Sequence, residues 1–174
     1  MRAAPPPWLP GTDARQMTNL DSLKLARWLA LGIPAALLAG AYISEYVFGL
    51  YPCEMCWWQR YPHFAAIGLA LLSFFAPPRG FWLALAATAI MVSGFVGVFH
   101  AGVEYGWWEG ITSCSRVASL DGGDPLAAIM DAPLVRCDEV QWSLLGISLA
   151  GWNALISVTS GLAIFRLLGL DRKG

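Results

Sequence analysis

Charge is scarce in this chain. Only 13% of its 174 residues are Asp, Glu, Lys or Arg, and the formal net charge is -1. An ordinary soluble surface needs roughly twice that share, about 25% for an average globular chain. No run of Lys or Arg builds a basic groove, so nothing here points to nucleic acid. Of the 4 cysteines only Cys53 and Cys56 form a CxxC pair, and there are just 2 histidines to add further ligands. Trp57 follows Cys56, so the histidine that completes a haem-attachment motif is missing. Cys114 and Cys137 lack CxxC spacing, which leaves a zinc site on the close pair without its usual second half; no metal is expected. The first apolar run also lacks a small-residue cleavage pattern at its end and is too long for a signal-peptide core. It is expected to remain as a helix.

What fills the chain instead is apolar surface: 57% hydrophobic residues and a mean hydropathy of +0.54. A bilayer core needs roughly 20 apolar residues per spanning helix. Four stretches, about 28–50, 57–76, 81–103 and 144–165, meet that length, broken only by Glu45 near the end of the first and Arg60 near the start of the second. The expected fold is an all-α membrane protein, an antiparallel four-transmembrane-helix bundle with two extracytoplasmic loops. Its domain would cover 25–169, between a disordered, proline-rich tail at 1–24 and a short tail at 170–174. Arg2, Arg15, Lys24, Arg27, Arg79, Arg166, Arg172 and Lys173 fall on one side, eight of the eleven positive residues. By the positive-inside rule that side is cytoplasmic, with both termini.

Within the spans, Pro34 is placed to bend the first helix. Pro62 predicts a helical turn around the CxxC followed by a kink or restart near Arg60 to Pro62. The turn Pro77-Pro78-Arg79-Gly80 makes the second and third helices antiparallel neighbours. Ser93, Gly94, Gly97 and Gly102 on the third helix, and Gly146, Ser148, Gly151, Ser157, Ser160 and Gly161 on the fourth, permit close backbone approach. In the long acidic loop, Asp124 and Pro125 predict a short helix over 125–130.

All four cysteines fall on the side opposite the positive charge, in loops at about 51–60 and 104–142, where disulfides persist. Cys53-Glu54-Met55-Cys56 has the spacing of a redox-active dithiol, whose attacking thiol is acidified by a helix N-terminus or a nearby cation. A structural disulfide and a metal pair are the competing readings. Cys114 and Cys137 fit either a staple of the acidic loop or an exchangeable disulfide that meets a soluble partner. Arg60, four residues after Cys56, is suited to stabilise a thiolate or an anionic ligand; a lipid-phosphate contact is the plainer alternative. His100 is suited to donate a hydrogen bond or shuttle a proton, or is a satisfied interhelical histidine. Trp57 and Trp58 could wall an apolar ligand site. Glu45 and Glu104 are boundary carboxylates to which the sequence alone assigns no role.

The segments Pro52-Cys53-Glu54-Met55-Cys56-Trp57-Trp58-Gln59-Arg60, His100-Ala101-Gly102-Val103-Glu104, Gly146-Ile147-Ser148 and Trp152-Asn153, with Cys114 and Cys137 in the second outer loop, form a specific combination. In these the chain resembles the bacterial disulfide bond formation protein B (DsbB) family of inner-membrane oxidoreductases, over roughly 51–153. Trp57-Trp58 and Pro62-His63 are additions that the motif does not require. The resemblance implies a relay in which a periplasmic DsbA-type thioredoxin-fold protein is reoxidised and its electrons pass to a membrane quinone, ubiquinone or menaquinone. Cys114 of a Cys114–Cys137 disulfide would be attacked by the reduced partner, and the resulting dithiol would exchange with Cys53–Cys56. Cys56 would meet the quinone as a thiolate, with Arg60 and His100 beside it. Three readings compete with this one: a dedicated-partner oxidoreductase of the same fold, a vitamin K epoxide reductase-type enzyme with its CxxC late in the bundle, and a non-enzymatic membrane scaffold with two structural disulfides.

Overall fold

No proline lies between Pro10 and Pro34, and over that stretch the chain is already helical. In a computed structural model, which describes residues 11–112 and 135–171 and their side chains over 21–112 and 135–169, α1 spans Gly11–Tyr46. The segment from Gly11 to Lys24, expected as part of an unstructured tail, therefore belongs to the first helix. Gly49, at φ 70°, turns the chain out of α1. α2 follows at Glu54–Phe75 and α3 at Arg79–Glu104. The predicted helix over 125–130 lies outside the described residues.

The last span starts later than its composition predicts. Ser143–Leu144 (β1) and Ile147–Ser148 (β2) pair antiparallel, and α4 begins only at Leu149 and runs to Asp171. The two-residue turn needs positive φ at both central positions. Leu145 and Gly146 supply it, at φ 55° and 78°, and neither value fits a right-handed helix. Ser148 then caps α4, its hydroxyl accepting from Gly151 N–H at 3.1 Å. Tyr105 ties this corner to the end of α3: its hydroxyl donates to the Gly146 carbonyl and accepts from Ser148 N–H, at 3.1 and 3.0 Å.

α2 crosses Pro62 as one helix, without the restart that the ring predicts. Proline removes one backbone donor and crowds the preceding turn. Next to the Trp58 carbonyl that loses its donor, Ser93 Oγ on the neighbouring helix donates to the Gln59 carbonyl at 2.8 Å and ties this turn to α3.

α2 packs on α3, α3 on α4, and α1 on both α2 and α4. Small residues set the α3–α4 spacing, as their pattern predicts. A Cβ on Gly94 would stand 2.8 Å from Val158 Cγ2, and one on Gly97 would stand 2.9 Å from the Ala150 carbonyl oxygen. Ala26, Ala30, Ala66, Ala70, Ala86 and Ala87, with Leu83, Ile90 and Ile164, fill the core at the end remote from the cysteines. Large apolar side chains such as Phe64, Leu71, Phe95, Leu155 and Leu162 face outward. A surface this apolar suits lipid better than water. Asp21–Tyr46, Arg79–Glu104 and Leu149–Gly169 are long and apolar enough to cross a membrane. α2 is not among these three, because Gln59, Arg60, Pro62 and His63 crowd its first half.

Candidate functional site

Pro52 keeps the chain extended as it enters α2, so Cys53 lands on the N-cap, at φ -77° and ψ 177°. Its sulfur accepts from Cys56 N–H at 3.4 Å, and the two sulfurs lie 3.1 Å apart as free thiols. One turn of helix thus places both sulfurs together over unpaired backbone donors, which favour negative charge. The hydrogen bond from the Cys56 thiol, aided by His100 and the Cys56 backbone, outweighs burial and holds Cys53 down at about 4. The same contact, with burial, pushes the Cys56 thiol up. In the reduced pair the negative charge therefore rests on Cys53, the buried sulfur. The resemblance gives the thiolate that meets the quinone to Cys56, the less buried one.

α3 brings His100 over this pair, with Nε2 3.6 Å from Cys53 Sγ. Behind it runs a polar network through all three packed helices. Gln59 Nε2 donates to His100 Nδ1 at 2.8 Å and to the Met55 carbonyl at 3.2 Å. Asn153 Nδ2, on α4, donates to Gln59 Oε1 at 2.8 Å and to the Ser93 carbonyl at 3.3 Å. Asn153 Oδ1 accepts from Ser157 Oγ at 3.0 Å and from His63 Nε2 at 2.9 Å. Among these residues the sequence alone marks His100 for chemistry; Gln59 and Asn153 belong only to resembling segments, and His63 only to an addition to the motif. The available signal was their position: polar side chains inside apolar helices carry a cost that usually reflects a function.

Arg60 sits deep, 6% exposed, and turns toward α1. Nη1 donates to Glu45 Oε2 at 2.6 Å and Nη2 to the Ala41 carbonyl at 3.3 Å. Tyr42 and Trp57 flank its guanidinium at 4.8 and 4.9 Å. Glu45 is thereby explained as the counter-ion of Arg60. Arg60, Cys53, Cys56, His63, His100 and Asn153 share a cavity of about 250 Å³. Trp142 and Trp152 line it, rather than the expected Trp57 and Trp58.

The second cysteine pair reaches the first through Cys137. That residue is fully buried and disulfide-bonded, in a cluster with Cys53, Met55 and Val103. Its backbone also hydrogen-bonds His100, and Gln141 Nε2 donates to the Tyr51 carbonyl at 3.1 Å. Cys114 lies outside the described residues.

Cys53, Cys56 and His100 present ligand atoms within 4.8 Å of one another, a spacing that could hold a metal ion. The surroundings fit poorly, because a metal-bound imidazole donates its second N–H outward. Here Gln59 already points an N–H at Nδ1. The arrangement suits sulfur exchange better: a stabilised thiolate, a hydrogen-bond donor facing it, and a second disulfide packed alongside.

The profile of the disulfide bond formation protein DsbB family matches residues 23–167. A disulfide bond formation protein B of Verminephrobacter eiseniae is 36% identical over 160 residues, covering 84% of this chain and 85% of that protein. One of Marinobacter nauticus is 31% identical over 156 residues, covering 82% and 92%. No solved structure matches the chain. With Cys53, Cys56 and Cys137 gathered at one end of apolar helices and a family match across most of its length, this chain belongs to the disulfide bond formation protein DsbB family.

Proposed function

We propose that this chain is an inner-membrane oxidoreductase that reoxidises a periplasmic DsbA-type dithiol protein and passes the electrons to a membrane quinone. The observation that carries this reading is the packing of disulfide-bonded Cys137 against Cys53, at the edge of a cavity that also holds Cys56 and Arg60. Two sulfur stations in one buried cluster allow exchange without a large movement of the fold. In this reading all four helices cross the bilayer, α2 with its polar first half turned inward, and both termini are cytoplasmic. The cysteine loops face the periplasm.

In the relay, a thiolate of the reduced partner attacks Cys114 of a Cys114–Cys137 disulfide and releases Cys137. The partner's second thiol then attacks its own bonded sulfur, closing the partner's disulfide and freeing Cys114, so that the loop pair is a dithiol. One loop thiolate attacks Cys53, the Cys53–Cys56 bond breaks, and Cys56 leaves as the thiolate. Closing the loop disulfide leaves Cys53 and Cys56 as the reduced pair. Re-forming the Cys53–Cys56 bond gives up two electrons and two protons. A bound quinone supplies the two-electron, two-proton acceptor. The residues fit such a group: apolar Leu37, Leu38 and Leu149 line the cavity, and Cys56, Arg60 and His63 present polar atoms to it. Arg60 adds a positive charge where negative charge develops, and His100 holds the Cys53 sulfur.

The test is quinone reduction by the purified protein, with a reduced DsbA-type protein as donor. Turnover that disappears in Cys56→Ser and in Cys114→Ser supports both stations. Folded protein that reduces neither ubiquinone nor menaquinone analogues overturns the reading.

A further inference from the structure

Two backbone carbonyls decide the protonation of the histidine over the thiol pair. A carbonyl only accepts, so the Gln59 atom 3.2 Å from the Met55 carbonyl is the amide nitrogen. By the same logic the Asn153 atom 3.3 Å from the Ser93 carbonyl is its Nδ2. Asn153 therefore donates to Gln59 Oε1 at 2.8 Å, and Gln59 Nε2 donates to His100 Nδ1 at 2.8 Å. A ring nitrogen that accepts carries no proton, so the proton of neutral His100 is on Nε2, 3.6 Å from Cys53 Sγ. The Glu104 carboxylate, with Oε1 3.9 Å from Nε2, is too distant to take that hydrogen, which Cys53 Sγ shares with the Cys137 backbone. We propose that Gln59 is a positioning residue of the thiol site: its locked amide selects the Nε2–H tautomer of His100, which then donates to the Cys53 sulfur.

The selection has a second effect. An imidazolium would turn an Nδ1–H against the Gln59 amide hydrogens. Gln59 thus opposes proton transfer from Cys53 to the ring and keeps His100 a donor rather than a base. The groups that face the ring from the packed elements are Cys53, Cys56 and Gln59 from the α2 segment, Glu104 from α3 and the Cys137 backbone from the loop. That the donated hydrogen serves exchange rests on the redox reading above; the tautomer itself does not.

The chain has 2 histidines, so nitrogen NMR of the full-length, reduced protein labelled with ¹⁵N-histidine resolves the question directly. A His63→Asn variant assigns the signals. Wild type should show His100 with a bare Nδ1 and a protonated Nε2. Gln59→Glu replaces the donor by an acceptor and should protonate Nδ1. Gln59→Met should give a mixture of tautomers. In a Cys56→Ser background it should also slow alkylation of Cys53 by about tenfold at a fixed pH below its midpoint, where the thiolate fraction sets the rate, the scale of one hydrogen bond to a charged group. Adding His100→Ala should then cost little more, because both changes remove the same interaction. If Gln59→Met fails to fold, Gln59→Leu removes the same donor and should give the same mixture, while near-isosteric Gln59→Glu tests the opposite tautomer. A protonated Nδ1 in wild type, or a single tautomer that survives both substitutions, overturns the proposal. Neither readout needs a quinone or a partner protein, so failure here is separate from failure of the relay.

Discussion

Arg60 Nη1 lies 2.6 Å from Glu45 Oε2, and their side chains are only 7% and 13% exposed. The charge expected to serve a ligand is thus already compensated by α1. A buried pair of this kind contributes little relative to apolar packing, yet losing one partner strands the other. Glu45→Ala and Arg60→Ala should each destabilise the protein by about 3–5 kcal/mol, with the double variant well short of the sum. Unfolding titrations of the four proteins in detergent measure the coupling, and additive losses would contradict it.

Arg60 also lines the cavity with Cys56. Arg60→Ala should raise the Michaelis constant for quinone more than that for the dithiol partner. Equal effects on both would remove Arg60 from the acceptor side.

The reduced pair should show an unusual response to acid. A thiol held at about 4, chiefly by its hydrogen bond from Cys56, stays ionised far below the ordinary thiol range. Because the shift is downward, thiolate reactivity is fully present at neutral pH and is lost only as pH falls through that value. Iodoacetamide labelling of Cys53 across the acid range checks this. A midpoint near that of free cysteine would mean that the contacts to Cys56 and His100 do not persist in solution.

Cys137 is disulfide-bonded and buried beside Cys53. Cys137→Ala should leave Cys114 free to hold a mixed disulfide with a reduced DsbA-type protein, visible on a non-reducing gel. Well-folded variant that never forms the adduct would support the scaffold reading.

Gly97 lets the backbone of α4 approach α3, since a Cβ there would stand 2.9 Å from the Ala150 carbonyl oxygen. Gly97→Val should cost about 1–3 kcal/mol, the usual range for overpacking, and lower the thermal midpoint. Gly68, with open space around it, should accept alanine without such a loss.

Much of this molecule is written locally. The CxxC, the apolar lengths of α1, α3 and α4, and the small residues between α3 and α4 need only composition and spacing. The thiol site's support does not. Gln59 and Asn153 are 94 residues apart, and no periodicity links an amide on one helix to an amide on another. Pro62 argues for a break in α2, yet the helix runs through it, with Ser93 of the next helix bonded to the turn that the ring crowds. The β1–β2 turn is not legible in the sequence because Leu145 gives no sign of a positive φ, a conformation that favours glycine.

Cys53 begins α2 by accepting from Cys56 N–H. A thiolate accepts a hydrogen bond well, whereas a sulfur committed to a disulfide is a weak acceptor. The helix is therefore fastened most firmly when the pair holds its electrons, and it loosens at its tip when they leave. Hydrogen exchange at the Cys56 amide becomes a gauge of electron occupancy, slow in the filled state and quicker in the emptied one.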